Sequence, residues 1–150
     1  MLDSVLTKDH ERIDKYLEEF LLSLTSKPDL KKLEVIISSL RNHMFWEEEH
    51  LFPEVFEDNK SRIQGLEAEH GAITKLLLEI KRLIAVNDTG EAKKKIEAVI
   101  RVLKGHNDAE EGYIYLELDK LKDERQSMLL AKELEHASAP SDWVCKALRR

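Results

Sequence analysis

Six residues of this chain have the side chains that bind divalent metals through nitrogen and oxygen: His10, His43, Glu47, His70, His106 and Glu110. Two pairs, in HMFWE (43–47) and HNDAE (106–110), stand four residues apart, the spacing that stacks side chains on one face of a helix. Four imidazoles and two carboxylates can hold two divalent ions, each taking two nitrogens and one oxygen from each bridging carboxylate. Nitrogen and oxygen without sulfur suit iron, manganese or zinc better than copper(I) or calcium. A single histidine on an apolar stripe is ordinarily a core residue with a satisfied hydrogen bond. Four of them, one on each of four helices, need another explanation.

Those helices can be traced from apolar spacing and punctuation. The first runs from about Ser4 to Leu24, with Leu6, Ile13, Leu17 and Phe20 on the stripe that carries His10. The second opens at SKPD, where Ser26 is expected to cap and Asp29 to close a capping box, and runs to about Asp58. Ile36 and Leu40 share the face of His43 and Glu47, and Pro53 is expected to kink this helix. The third opens with a second expected capping box, SRIQ, and reaches about Val86, with His70 midway between Leu66 and Ile73. The fourth runs from about Asp88 to Lys122 and carries His106 and Glu110. Short connections imply an all-α fold, an up-down-up-down antiparallel four-helix bundle.

In such a bundle the levels of the ligands can be compared. From the end where helices one and three start, His10, Glu47, His70 and Glu110 lie about 6 to 12 residues in, roughly 9 to 18 Å at ~1.5 Å per residue. All six residues can therefore meet in one layer. Residues 1–122 form the bundle in this reading, and 123–150 a helical C-terminal extension packed on it. That extension includes QSMLLAKELEH and a short helix behind Pro140 with Ser141 as its cap.

The bulk numbers fit one soluble domain. The chain has 150 residues, 42% hydrophobic and 36% charged, with five glycines and three prolines. A net charge of −6 argues against nucleic acid as a partner, and the one dense basic cluster is the terminal KALRR. A single cysteine, Cys145, excludes an internal disulfide framework and a thiolate cage. The charged N-terminus does not resemble a signal peptide, and no apolar run approaches the ~20 residues of a membrane span. A cytoplasmic protein with no membrane partner is expected.

The order of the motifs resembles the hemerythrin-like, or HHE cation-binding, domain family. That family has a histidine in helix one, HxxxE in helix two, a histidine in helix three and HxxxE in helix four. Here these are His10, HMFWE, His70 and HNDAE, and EEEHLFP (47–53) and EEGYIY (110–115) are similar to the runs that follow. The resemblance covers about residues 1–122. It implies His10, His43, His70 and His106 as terminal ligands. Glu47 and Glu110 would bridge two irons, with an oxo or hydroxo group between the metals.

The oxygen-carrying members have HxxxH in helix three, whereas His70 is followed four residues later by Thr74. This pattern is more similar to iron-sensing and stress-related members. It implies a site that binds, reacts with or senses dioxygen or a related oxidant such as peroxide or nitric oxide. A regulatory or iron-storage protein, with 123–150 as its partner surface, is the alternative.

Other residues near the motifs carry weaker expectations. His50, Thr74 and Tyr113 are candidates to line the metal pocket. Glu48, Glu49 and Glu111 are expected to be solvated, with Glu111 a minor alternative to Glu110. No role is assigned to His136, Trp143 or Cys145.

Overall fold

The computed structural model describes residues 2–149, leaving out Met1 and Arg150, the last residue of the KALRR cluster. It is helical, with no strand among the described residues. The elements are α1 (Leu2–Ser23), α2 (Leu30–Trp46), α3 (Phe52–Val55), α4 (Lys60–Ala85), α5 (Thr89–Ala109), α6 (Tyr115–Leu121) and α7 (Glu124–His136). Two five-residue π turns, Glu47–Leu51 and Glu110–Ile114, join α2 to α3 and α5 to α6, and a 3₁₀ turn spans Lys146–Leu148. Helix α1 packs on α2 and α5, and α4 packs on the same two, which closes a helical bundle.

Each long helix buries one stripe. In α1 the buried residues are Leu2, Leu6, His10, Ile13, Leu17 and Phe20, so the histidine occupies a core position. Burying one such aliphatic side chain stabilises the fold by roughly 1.5–3 kcal/mol. The apolar side chains form two clusters. One contains Ile13, Leu17, Leu40, Ile73, Val99 and Leu103, the other Leu6, Leu51, Phe52, Ile63, Leu66 and Ile114. The six ligand candidates divide these clusters, and the stripe of α1 steps from one to the other through His10.

The helix starts differ from the expected ones in two places. Asp29 is itself the cap of α2, accepting from the Lys32 amide at 3.0 Å, so Ser26 and Pro28 precede the helix. Helix α4 starts at Lys60 after Asn59, and no side-chain bond caps it. Asp88 caps α5, and Asp123 with Gln126 forms a reciprocal capping box on α7. Substituting such a cap by alanine costs about 1 kcal/mol.

The short helix expected behind Pro140 is absent; residues 137–145 form an irregular strap that ends in the 3₁₀ turn. The strap is tied down by Trp46 Nε1, which donates to the Ala137 carbonyl at 2.8 Å, and by Arg41, which donates to the carbonyls of Pro140 and Trp143. It closes on α4 at Gly71, where an added Cβ would stand 2.9 Å from the Ala147 Cβ. Glycine is needed there for the approach of the strap.

Candidate metal centre

The two π turns set the geometry of the site. Each begins at the glutamate of an HxxxE motif, and its amides bond five residues back instead of four. The Phe52 amide thus donates to the Glu47 carbonyl, and the Tyr115 amide to the Glu110 carbonyl. The added residue per turn places Phe52 and Tyr115 above their glutamates on the inner face, where an unbroken α-helix would place residues three or four on. Pro53 follows the first π turn, but the second forms with no proline nearby, so proline is not required for the distortion.

The structure brings the six ligand candidates together. His10, His43, Glu47 and Glu110 form one group of donor atoms within 4.8 Å of one another, and Glu47, His70, His106 and Glu110 form a second. All six are buried, and both glutamates belong to both groups. His10 Nε2 lies 3.3 Å from Glu110 and 2.9 Å from His43 Nε2. His43 Nε2 lies 3.4 Å and His70 Nε2 3.0 Å from Glu47, and His106 Nε2 lies 3.3 Å from Glu110.

Each imidazole is oriented from behind by a carboxylate. His43 Nδ1 donates to Asp9 at 2.7 Å, His10 to Glu111 at 2.8 Å, His70 to Glu48 at 2.6 Å and His106 to Glu69 at 3.2 Å. A carboxylate can only accept, so each Nδ1 carries the hydrogen and each Nε2 faces the centre. Glu48 is shared: its second oxygen accepts from the Lys146 amide of the strap at 2.8 Å.

The electrostatics favour positive charge between the two carboxylates. Burial pulls the His43 imidazolium down, but Glu47, with Asp9 and Glu110, outweighs burial and pushes it up to about 10. Burial likewise disfavours charged His106, and Glu110, with Glu47 and Glu69, pushes it up to about 12. His70 is raised against burial by bonds to Glu47 and Glu48. Glu47, which burial alone would raise, is held well below the usual carboxylate range by His43, Glu110 and His106. Buried carboxylates without positive charge are costly, and here protons stand where a metal would.

The donor set fits a metal cation on a further ground. Glu110 Oε2 is buried with no hydrogen-bond partner. An orphaned acceptor of this kind has a free lone pair that an ion would satisfy. A cavity of about 10 Å³, room for roughly one water, adjoins the cluster and is walled elsewhere by Ile13, Leu40, Met44, Ile73 and Leu103, with Asn107 as the one polar residue besides the ligand candidates.

Other residues fall in unexpected places. Tyr113 is 53% exposed and lies beneath Arg62, whereas Tyr115 is buried among the ligand candidates. The π turn brings the residue five beyond Glu110 to the inner face, where α-helical counting from His106 expects the one three beyond it. The signal available in the sequence was the pairing of HMFWEEEHLF with HNDAEEGYIY, which sets Phe52 opposite Tyr115. His50 packs edge-on to Phe45 and belongs to neither donor group. The Thr74 hydroxyl turns back to donate to the His70 carbonyl at 2.8 Å. Glu48 is buried behind His70 instead of being solvated, and Glu111 is half-buried behind His10, while Glu49 is exposed and bonds Trp143 and Arg149.

Fold and site together define a helical-bundle protein with a buried histidine–carboxylate centre built to hold metal cations. The chain belongs to the hemerythrin HHE cation-binding domain family, whose model matches residues 3–118. Comparison with curated proteins and with solved structures returns no match. The strap and α7 lie beyond the matched residues.

Proposed function

We propose that this chain is a non-haem di-iron protein that binds iron and reacts with or senses dioxygen or a related small oxidant, peroxide or nitric oxide. The observation that carries this reading is that Glu47 and Glu110 belong to both donor groups, so two metal positions share two carboxylates. His10, His43, His70 and His106 would be the terminal ligands, and the bundle would run up-down-up-down so that their levels coincide. Manganese and zinc suit the same donors. A ferrous pair held by these residues would supply the reducing electrons, and an oxo or hydroxo group between the irons would belong to the oxidised form.

The protein residues do the rest. The Nδ1 hydrogen bonds hold each ring in the plane and tautomer that presents Nε2 inward. Ile13, Leu40, Met44, Ile73 and Leu103 keep bulk water from the adjoining cavity, which favours an uncharged diatomic over an ion. No helix among the described residues is long and apolar enough to cross a membrane, which supports the reading of a cytoplasmic protein.

One contact favours the second reading, a regulatory or storage protein that acts through a partner. Glu48 accepts from both His70 and the Lys146 amide, a contact through which the centre would act on residues 123–150 as an extension packed on the bundle. Protein purified in air is expected to hold about two irons per chain, as carboxylate-bridged bundles do. Full-length protein that retains no iron after ferrous reconstitution would refute the di-iron reading. Stopped-flow mixing of the ferrous form with dioxygen separates a reversible adduct from irreversible oxidation. If iron loading leaves protease cleavage of the extension unchanged, the regulatory reading loses its support.

A further inference from the structure

We propose that Tyr115 is itself a metal ligand, giving a phenolate oxygen to the position held by His10 and His43 and making the two halves of the centre chemically unlike. The inference rests on the metal reading above. The Tyr115 oxygen lies 2.7 Å from Glu47 Oε2, 3.0 Å from His10 Nε2, 3.1 Å from His43 Nε2 and 3.3 Å from Glu110 Oε1. Adjacent donors around an ion with bonds of about 2.1 Å stand about 3 Å apart. The phenol oxygen therefore stands among these four atoms as a fifth member of one coordination set.

A hydrogen-bonding role alone does not account for this arrangement. Once a metal displaces the protons of the centre, the Nδ1 hydrogens committed to Asp9 and Glu111 leave His43 and His10 with Nε2 lone pairs turned inward. Two nitrogens and two carboxylate oxygens then converge on a hydroxyl that has one hydrogen to give. A cation among them satisfies all five at once, and the phenolic proton leaves to solvent with no change of oxidation state. The other half has no such oxygen. There the residue following the π turn is Phe52, stacked on the His70 ring at 5.9 Å with 10° between planes.

The test is spectroscopic and uses the full chain reconstituted with ferric iron. The wild-type protein is expected to show a visible phenolate-to-iron charge-transfer band, with tyrosine ring vibrations enhanced in resonance Raman spectra excited within it. Tyr115→Phe should keep bound iron and lose the band, whereas Tyr113→Phe should keep both. Should Tyr115→Phe not fold, wild-type protein carrying ring-deuterated tyrosine decides, because ligation requires those vibrations to shift. Full iron content with no tyrosine-dependent band overturns this inference and leaves the di-iron reading intact. No bound iron at all overturns both.

Discussion

HMFWEEEHLF and HNDAEEGYIY build the same backbone device twice, yet what they place beside the metal positions differs. In each, a histidine and a glutamate four residues on face inward, a π turn begins at the glutamate, and an aromatic residue five beyond it enters the core. After Glu47 that residue is Phe52, an apolar plate against His70. After Glu110 it is Tyr115, whose hydroxyl reaches into the opposite half, between His10 and His43. The supports differ as well. The His10–His43 half is backed by Asp9 and Glu111, from α1 and the second π turn. The His70–His106 half is backed by Glu48 and Glu69, and Glu48 also accepts from the Lys146 amide. The strap reaches the other half through Trp46, whose ring packs on His43. One backbone solution thus carries two surroundings: a half with a phenol oxygen beside its imidazoles, and a half with an apolar ring and a carboxylate tied to the C-terminal segment.

Glu47 and Glu110 belong to both donor groups, so breaking one of them should have the largest effect. Glu47→Ala removes an oxygen from both donor groups, and metal content is expected to fall from about two ions per chain to near none. His70→Ala damages one group, so about one ion should remain, bound by His10 and His43. Metal analysis of the purified variants separates these outcomes. Equal loss in both would mean that the halves are not separable sites.

How much of this was legible beforehand follows from what each feature depends on. His10 and His70 were legible because apolar neighbours at helical spacing mark their face. The HxxxE pairs were legible because an α-helix stacks residues four apart. Tyr115 was not, because counting in α-helical steps from His106 lands on Tyr113, and one π turn carries Tyr113 out to solvent. The role of Glu48 was hidden for a related reason. In a run of three glutamates nothing local distinguishes the one that meets His70, a contact supplied by a helix 22 residues away in sequence. The strap's course depends on tertiary contacts at Gly71 and Arg41, which no periodicity in residues 137–149 encodes.

The metal-free and metal-loaded forms should respond to pH in opposite directions. In the metal-free protein, His43 and His106 are raised from the ordinary 6.5 to about 10 and about 12. Their contribution to stability is complete below 6.5 and is lost as pH rises through the folded-state values. Glu47, lowered below 4.5, contributes above that value and loses its contribution on acidification. The metal-free bundle should therefore be most stable between 4.5 and 6.5 and weaken toward alkaline pH, as far as these groups decide it. Bound metal replaces the same protons, so its contribution falls as acid competes for the ligands. Thermal unfolding of chelator-treated and zinc-loaded protein at about pH 6 and about pH 8.5 should show slopes of opposite sign. Parallel slopes would mean that the imidazoles titrate as they do in solvent.

The smallest effect comes from two adjacent glutamates that look alike in the sequence. Glu48 is 2% exposed at its side chain, with one oxygen on the His70 Nδ1 hydrogen and the other on the Lys146 amide. Glu48→Gln leaves one acceptor for two N–H donors and turns an amide NH₂ toward the other. It should weaken metal binding roughly 10–100-fold in the His70–His106 half, leave the other half unchanged and loosen the strap. Glu49→Gln, one residue on, alters only exposed contacts to Trp143 and Arg149. Its effect on metal affinity should be undetectable, and its effect on stability about 1 kcal/mol or less. Chelator competition on the two variants isolates the difference, because both carry the same change in charge on the same π turn. If they lose metal equally, net charge sets the affinity; if only Glu48→Gln does, the hold that Glu48 keeps on His70 sets it.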